Sequence, residues 1–517
     1  MTLFRRIWWL FPEGTGVHPL LRPARSPRRR DKTRYGMAQR LRSQVAPRPV
    51  RARGIVVLTL GVALGAAVGG CVLAPRGTEE ERAKLKAASH SFEPPIEVRQ
   101  WPELPTPADW RDVLSRAFLA NGDLESAYFE WRAAFARIDQ AAIWPNSNVA
   151  VSFSYMFSPG SMKTWDRTTL GVGFDPSMNL PLPIKARTAG RIALDTAREA
   201  GEKFRAIKFE LQGKVLSAYL ELSLTEEFSR IDRENLRLLK LVSASAADRA
   251  EAGGPMQDLL KALIEAQTAE NELASLRAKV SSMRGMLNGM LARDANAPLT
   301  LPPNLPSPRL VTADDSQLIA MAVAQNPELA GLAQQVAGRS DAVELARLAY
   351  LPDFGLAASI SGSVSQSVGA MLMLPSKAPA IRAAIDEAQS MLRSSEAMLR
   401  QTKQERAASF VANLYLMRNA ERQTQFLRQH LVPATQQLVS SARNAYAGGT
   451  IGFADLIDSE RMLLSVRRML AEAQVEREQR LAELEALAGV DIETLGQPPT
   501  AWAPPPTLST QLTRATP

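Results

Sequence analysis

The acidic pair Asp455 and Asp458 is the pattern with the clearest chemical potential in this 517-residue sequence. The two residues lie three apart, directly after a glycine-containing turn, so on a helix their side chains share a face. Carboxylates held close together attract cations. The alternative is that they are solvated acids in the first turn of a helix, where negative charge stabilises the helix dipole. The spacing alone leaves both interpretations open.

Patterns for catalysis or metal binding are missing from the rest of the sequence. The three histidines, His18, His90 and His430, are widely separated, and Cys71 is the single cysteine. There is no HExxH motif, phosphate-binding loop, CxxC pair or serine–histidine–acid set. We therefore predict that the protein is not an enzyme and that it holds no metal and no other cofactor.

A signal segment ends at Cys71. Arginines precede an uncharged apolar run that closes with the small residues Val68-Gly69-Gly70. This order is typical of a secretory signal, and small residues before a lone cysteine resemble the lipobox of bacterial lipoproteins. We predict that residues 1–70 are removed and that Cys71 becomes the acylated first residue. A single transmembrane helix is the alternative.

Two further predictions concern this end of the chain. Met37 would open a signal of conventional length, so residues 1–36 are interpreted as an upstream stretch before the true start. Residues 1–70 contain 14 Lys or Arg and two Asp or Glu, so residues 71–517 carry a net charge of −3 although the whole chain is at +9. The basic balance therefore does not indicate a nucleic-acid partner.

The mature chain contains an internal repeat with an offset near 200 residues. Five groups match in order: Asn121-Gly122-Asp123-Leu124 with Asn326-Pro327-Glu328-Leu329, Trp144-Pro145 with Leu351-Pro352, Pro183 and Tyr219 with Pro379 and Tyr415, 252–254 with 447–449, and 258–260 with 455–457. The predicted organisation is a lipid-anchored extended lead-in at 71–105, a first repeat at 106–300, a Pro-rich linker at 301–312, a second repeat at 313–495 and a disordered tail at 496–517.

Each repeat is predicted to contain a helix, a strand pair, a very long helix and a return helix. Alternating hydrophobicity predicts strands near 148–158, 168–175, 353–362 and 366–374. Single long helices are predicted for 184–252 and 380–447, and one helix for 109–144. The fold class is therefore mainly α with a small β part, built from long antiparallel coiled-coil-like helices and four strands.

The strand pattern indicates a sheet with two different faces. Val149, Val151, Phe153, Tyr155 and Phe157 alternate with polar or small residues that include Ser152 and Ser154. Such strands suit a bilayer, although a half-buried soluble sheet is the alternative. In lipid a sheet must close, because open edges leave backbone groups unpaired. Since the smallest membrane barrels have eight strands, four strands per chain require an oligomer.

A duplicated unit of strand pair and long helices behind a lipobox resembles the TolC-like outer membrane efflux factors. The segment from Tyr446 through Gly448, Gly449, Asp455 and Asp458 is similar to the family's second hairpin turn, and 253–267 to the first. The resemblance implies a homotrimer with a 12-strand transmembrane β-barrel and a periplasmic helical tunnel. It also implies docking to a periplasmic adaptor protein and an inner-membrane pump of the resistance–nodulation–division type.

The resemblance also assigns roles to residues. Tyr446, Asp455 and Asp458 match residues at the periplasmic aperture, and Ile451 stands where some members carry an arginine that locks the gate. Gly253, Gly254, Gly448 and Gly449 match the tip turns. A periplasmic adaptor or a structural coiled-coil lipoprotein is the alternative function. The exported substrate, drug or metal cation, stays open, although Met371 and Met373 alternate on a strand that could face a pore.

Overall fold

A computed structural model describes residues 71–99, 101–144, 148–157, 160–175, 181–363 and 365–494. All described residues belong to a single compact unit. The predicted leader 1–70 and the tail 496–517 lie outside the described residues. None of the helices in the described ranges combines the length and the apolar composition needed to span a membrane.

The described chain is mostly helical, with six strands. The helices are α1 (Thr78–Ser89), α2 (Trp110–Ala120), α3 (Gly122–Ala142), α4 (Pro183–Glu251), α5 (Met256–Met290), α6 (Asp315–Gln325), α7 (Pro327–Leu348), α8 (Ala378–Phe426), α9 (Val432–Ala447) and α10 (Phe453–Ala488). The strands are β1 (Cys71–Val72), β2 (Ile143–Trp144), β3 (Asn148–Tyr155), β4 (Thr168–Asp175), β5 (Asp353–Ser361) and β6 (Ser365–Met373).

Two sequence predictions for residues 71–144 are wrong. The lead-in 71–105 is not extended throughout, since it contains α1, whose acidic first turn and good helix formers favour a helix. The helix expected at 109–144 is two helices, because Asn121 adopts an extended conformation and its side chain caps α3 by accepting from the N–H groups of Asp123 and Leu124. Asn326 caps α7 in the same way through the N–H of Leu329.

The two long helices differ. The first, expected at 184–252, is the unbroken α4. The second, expected at 380–447, is interrupted by a π-helical segment at Leu427–Leu431 between α8 and α9. Pro433 explains the interruption, because proline has no N–H to donate and its ring crowds the carbonyl four residues earlier. The wider π turn absorbs this, and the N–H of Val432 donates to the carbonyl of Leu427.

Helix α4 is the centre of the helical part and packs against α3, α5, α7 and α10. One buried cluster joins α2, α3, α4 and α5 around Tyr128 and Tyr219. A second joins α6, α8 and α10 around Phe410 and Leu481. The two repeats therefore share a continuous helical scaffold rather than forming separate domains.

The linker between the repeats is held by a buried ion pair network. Arg309 donates from Nε to Glu478 at 3.0 Å and from Nη1 to Glu485 at 2.8 Å, and all three side chains are buried. Burial raises the pKa of the Glu485 carboxyl, and the positive charge of Arg309 acts in the opposite direction. Since Gln212 of α4 also donates to Glu485, the network joins the linker to both repeats.

Four strands form one antiparallel sheet in the order β3-β4-β5-β6. The pairing of β4 with β5, in which Thr169 lies opposite Ser361, joins the strand pairs of the two repeats. The strands match the expected positions: β4 has the predicted bounds, β3 and β5 end earlier than predicted, and β6 is displaced by one residue. Phe157 was expected in a strand, but it lies beyond β3 and is almost fully exposed.

Strands β1 and β2 make a separate small antiparallel pair. Cys71 lies opposite Trp144, and the N–H of Leu73 donates to the carbonyl of Ala142 at 2.9 Å. The Trp144 indole donates to the carbonyl of Pro181 at 2.7 Å. The backbone of Cys71 is therefore fixed beside Trp144, which precedes the start of β3 by only a few residues.

Candidate functional site

The turns of the two long hairpins lie side by side. Arg249, in the last turn of α4, donates from Nη2 to the carbonyl of Tyr446 at 2.8 Å. Its guanidinium carbon also lies 4.1 Å from the centre of the Tyr446 ring. A cation over an aromatic face is attracted to it, and a donor at a helix C-terminus satisfies free carbonyls. Arg249 thus ties the end of α9 to the first hairpin.

Each turn depends on one glycine with a left-handed backbone. Gly253 has φ of +93° and Gly449 has φ of +75°. The backbone hydrogen bonds close the two turns in the same way. The N–H of Gly254 donates to the carbonyl of Arg249, and the N–H of Thr450 donates to the carbonyl of Ala445. Gly448 has an ordinary right-handed conformation, so the sequence match of 252–254 with 447–449 is one residue out of structural register.

A buried cluster beneath the turns includes Tyr446. It is lined by Leu239 and Ala246 of α4, alanines of α5, and Phe453, Leu456 and Ile457 of α10. Tyr446 is 7% exposed and packs edge to face on Phe453 at 6.2 Å. The resemblance predicted that Tyr446 lines an opening, whereas the structure buries it between the hairpins. Ile451 packs against the same cluster and offers no charge.

Asp455 and Asp458 are both exposed at the start of α10, and the residues between them turn inward. Asp455 accepts the N–H of Gly452 at 3.3 Å, which is the capping role expected of an acid in a first helical turn. Asp458 lies 3.8 Å from Arg461, a long contact, and its side chain is 73% exposed. The structure therefore brings the two carboxylates to one open face, as the spacing predicted.

The basic residues near this pair were not found from the sequence. Arg461 of α10 is engaged by Glu265 of α5, and Arg468 of α10 contacts the buried Asp232 of α4 at 2.5 Å. These ion pairs, with Arg249, join the two hairpins. The sequence shows that these arginines lie on a helix, but it does not show which acidic residue pairs with each one, because that depends on which helix packs beside it.

Within the described ranges, no three His, Cys, Asp or Glu residues come close enough to hold a metal ion. In one chain the two aspartates are an exposed acidic pair, outside any such group of three in the described ranges. Their arrangement is suited to attracting cations toward the hairpin turns.

The four-stranded sheet is the second part of the candidate site. Its cross-strand partners place Val151 and Val172, Phe153 and Leu170, and Ala358 and Val368 on one apolar face. Ser152, Ser154, Thr169, Ser359 and Ser367 share the opposite face. On that face Thr169 and Ser361 are hydrogen bonded at 2.6 Å, and Ser359 and Ser367 at 2.8 Å.

Comparison with known proteins agrees with this architecture. Residues 318–490 match the model of the family described as outer membrane efflux protein. The cobalt-zinc-cadmium resistance protein CzcC of Cupriavidus metallidurans is 22% identical over 377 residues, which are 69% of this chain and 84% of CzcC. The fusaric acid resistance protein FusA of Burkholderia cepacia is 23% identical over 250 residues, 44% of this chain and 45% of FusA.

A solved structure shows the same fold. The outer-membrane channel OprN superposes with a TM-score of 0.62 at 18% sequence identity. The match covers 74% of this chain and 90% of OprN. The long helical hairpins and the strand pairs are therefore arranged as in a known outer-membrane channel.

Proposed function

We propose that this chain, a member of the outer membrane efflux protein family and the channel component of an efflux pump, works as a homotrimer. Its twelve strands would form a transmembrane barrel, and its long helices a conduit across the periplasm. The observation that carries the proposal is the single sheet made by both repeats, with one apolar face and one face of hydroxyl groups and glycines.

The edges of this sheet explain why several copies are needed. Among the described residues, β3 and β6 each pair on one side only. In lipid, unpaired backbone groups are costly, so the edge of one copy must pair with the edge of another. Three copies would give twelve strands, and the apolar face carrying Val151 and Phe153 would contact lipid.

A paired substitution tests the orientation of the sheet. Phe153→Arg should lower the stability of the assembled protein by about 2–4 kcal/mol, because it would place a charge in the bilayer core. Ser152→Arg, one residue away, should cost far less. Assembly is measured as the trimer fraction in detergent extracts of the membrane. Equal losses for the two variants would contradict the assignment of faces.

The lipid anchor is the second part of the proposal. The pairing of Cys71 with Trp144 supports it, because acyl chains on Cys71 would then start near the periplasmic end of the barrel, at the inner leaflet. Intact mass should show a chain that begins at Cys71 and carries fatty acyl groups. A mature chain that still contains Arg53 would overturn this part.

The third part concerns Asp455 and Asp458. In a trimer the exposed pairs would supply six carboxylates around the periplasmic aperture and make the channel cation-selective. Single-channel recording in planar bilayers tests this with Asp455→Asn combined with Asp458→Asn. The expected result is a loss of cation selectivity. The matched control is Glu472→Gln with Glu476→Gln, on the same helix but away from the turn, and equal effects would contradict the proposal.

The partners follow from the family. We propose a periplasmic adaptor and a resistance–nodulation–division pump as the other components, and metal cations as the exported substrate. The named specificity of CzcC, which matches over most of its length, supports metal cations, whereas FusA suggests an organic compound. Complementing a strain that lacks its own channel, then comparing zinc with fusaric acid tolerance, distinguishes the two.

A further inference from the structure

Two methionines lie on the hydroxyl-lined face of the sheet. Met371 pairs with Gly355, and Met373 with Asp353, on the hairpin of β5 and β6. Since residues two apart on a strand share a face, both methionines lie on the face of Ser359 and Ser367. On the proposed trimer, which this inference rests on, that is the lumen face.

These side chains differ chemically from their surroundings. Apart from Asn148, Asp175 and Asp353, the other described positions on this face are serine, threonine, alanine or glycine, so they offer no apolar cluster for a methionine to join. Met371 is 52% exposed. Methionine is normally used to fill apolar cores, so two thioethers on a polar, open face call for another explanation than packing.

The chemistry of the positions favours a soft cation. Thioether sulfur prefers soft metal ions such as Cu(I) over hard ions such as Mg²⁺. The neighbouring carboxylate of Asp353 is paired with Lys185 at 2.8 Å, so it adds little net charge. A site of two neutral sulfurs would bind weakly enough to release its ion, which conduction through a pore requires.

We propose that Met371 and Met373 form a transient binding site for soft monovalent cations, Ag(I) or Cu(I), inside the barrel. Three copies would place three such pairs at one level of the lumen, near its periplasmic end. The site adds a preference for soft monovalent ions to the proposed export of metal cations, and it acts separately from the aspartates at the hairpin turns.

Binding of Ag(I) to the detergent-solubilised protein is the primary test. Equilibrium dialysis in chloride-free nitrate buffer should show one fewer bound Ag(I) per chain in Met371→Leu with Met373→Leu than in the unaltered protein. Leucine keeps the apolar volume and removes the sulfur. The matched control is Met286→Leu with Met469→Leu, which alters exposed methionines of α5 and α10. The single Cys71 is common to all variants.

Channel recording adds an independent measurement. Micromolar Ag(I) should reduce the conductance of the unaltered protein and the control. The concentration for half block should rise at least tenfold in the Met371 and Met373 double variant. Equal Ag(I) binding by the double variant and the unaltered protein would overturn the site. A protein that forms no channels would overturn the proposed function, while the dialysis result would still decide the metal site.

Discussion

Equivalent tyrosines in the two repeats have opposite environments. Tyr219 of α4 is 1% exposed and donates to the carbonyl of Ala108, whereas Tyr415 of α8, 196 positions later, is 70% exposed. Both helices have a proline in their first turn and contain a tyrosine at the same distance from it. The duplication therefore sets which elements form, but the position of each element in the bundle sets what its side chains contact.

The difference comes from what covers each helix. Helix α4 has neighbours on several sides, whereas α8 packs mainly on α7 and α10. Apolar side chains consequently remain exposed along α8, namely Met391, Met398, Tyr415, Leu416 and Phe426. An uncovered apolar surface of this length indicates a contact with another molecule, and in the proposed trimer this would be a second copy.

Truncating the tyrosines should give the largest difference. Tyr219→Ala removes a buried ring and should lower the free energy of unfolding by about 3–5 kcal/mol. Tyr415→Ala should change it by about 0.5 kcal/mol or less in a single chain. Thermal unfolding of the monomeric protein in detergent measures both, with Tyr219→Phe as the control that keeps the ring. A large loss for Tyr415→Ala in the monomer would contradict the different environments of the two tyrosines.

A proline in the first long helix should have the next largest effect. Arg237 is the position in α4 equivalent to Pro433, and its side chain is exposed. Arg237→Pro should cost about 3 kcal/mol or more, because α4 has no π turn to absorb the ring. Arg237→Ala is the control for the lost side chain, and thermal unfolding is again the measurement. A neutral effect of Arg237→Pro on stability would show that α4, like the second long helix, can accommodate a proline in its interior.

Substitutions in the second turn should have a smaller effect. Gly449→Ala places a side chain at positive φ and should cost about 1–2 kcal/mol, whereas Gly448→Ala should be close to neutral. Hydrogen exchange of the amides of Gly449 and Thr450 measures local opening. Equal exchange in the two variants would mean that the left-handed residue is not what shapes this turn.

The smallest expected effect is a pH dependence at the connections between the strands. Asp166, between β3 and β4, accepts the N–H of Ser363, between β5 and β6, at 2.8 Å, and its hydrogen bonds with Ser363 lower the pKa of the Asp166 carboxyl. A lowered pKa in the folded state means that the stabilisation is present at neutral pH and is lost as pH falls below about 4. The protection factor of the Ser363 amide, which is its exchange corrected for the intrinsic rate, should therefore fall on acidification.

The control for this pH effect is Asp166→Asn, which cannot titrate. In that variant the exchange of the Ser363 amide, corrected for intrinsic rate, should no longer change with acidification. An unchanged pH profile would show that the link between the two connections does not depend on the carboxylate.

Several local features could be predicted because they depend on neighbouring residues. Asn121 and Asn326 cap helices in both repeats because an asparagine side chain reaches the N–H groups two or three residues ahead. The strands were located from a period of two, and the exposed pair Asp455 and Asp458 from a spacing of three. The break at Pro433 was equally local, since one proline residue is sufficient to disturb a helix, although an unbroken helix was predicted there.

Contacts between distant segments could not be predicted in this way. Tyr446 is buried because α4, α5 and α10 meet around it, and Arg249 reaches it from a position 197 residues earlier. The same applies to Arg309 and its two glutamates, which lie about 170 residues away. The sequence by itself determined the elements, their caps and their amphipathic faces, since these depend on side-chain periodicity over a few residues. The tertiary structure alone decided which of two equivalent tyrosines is buried, because burial depends on the helices that pack beside each one.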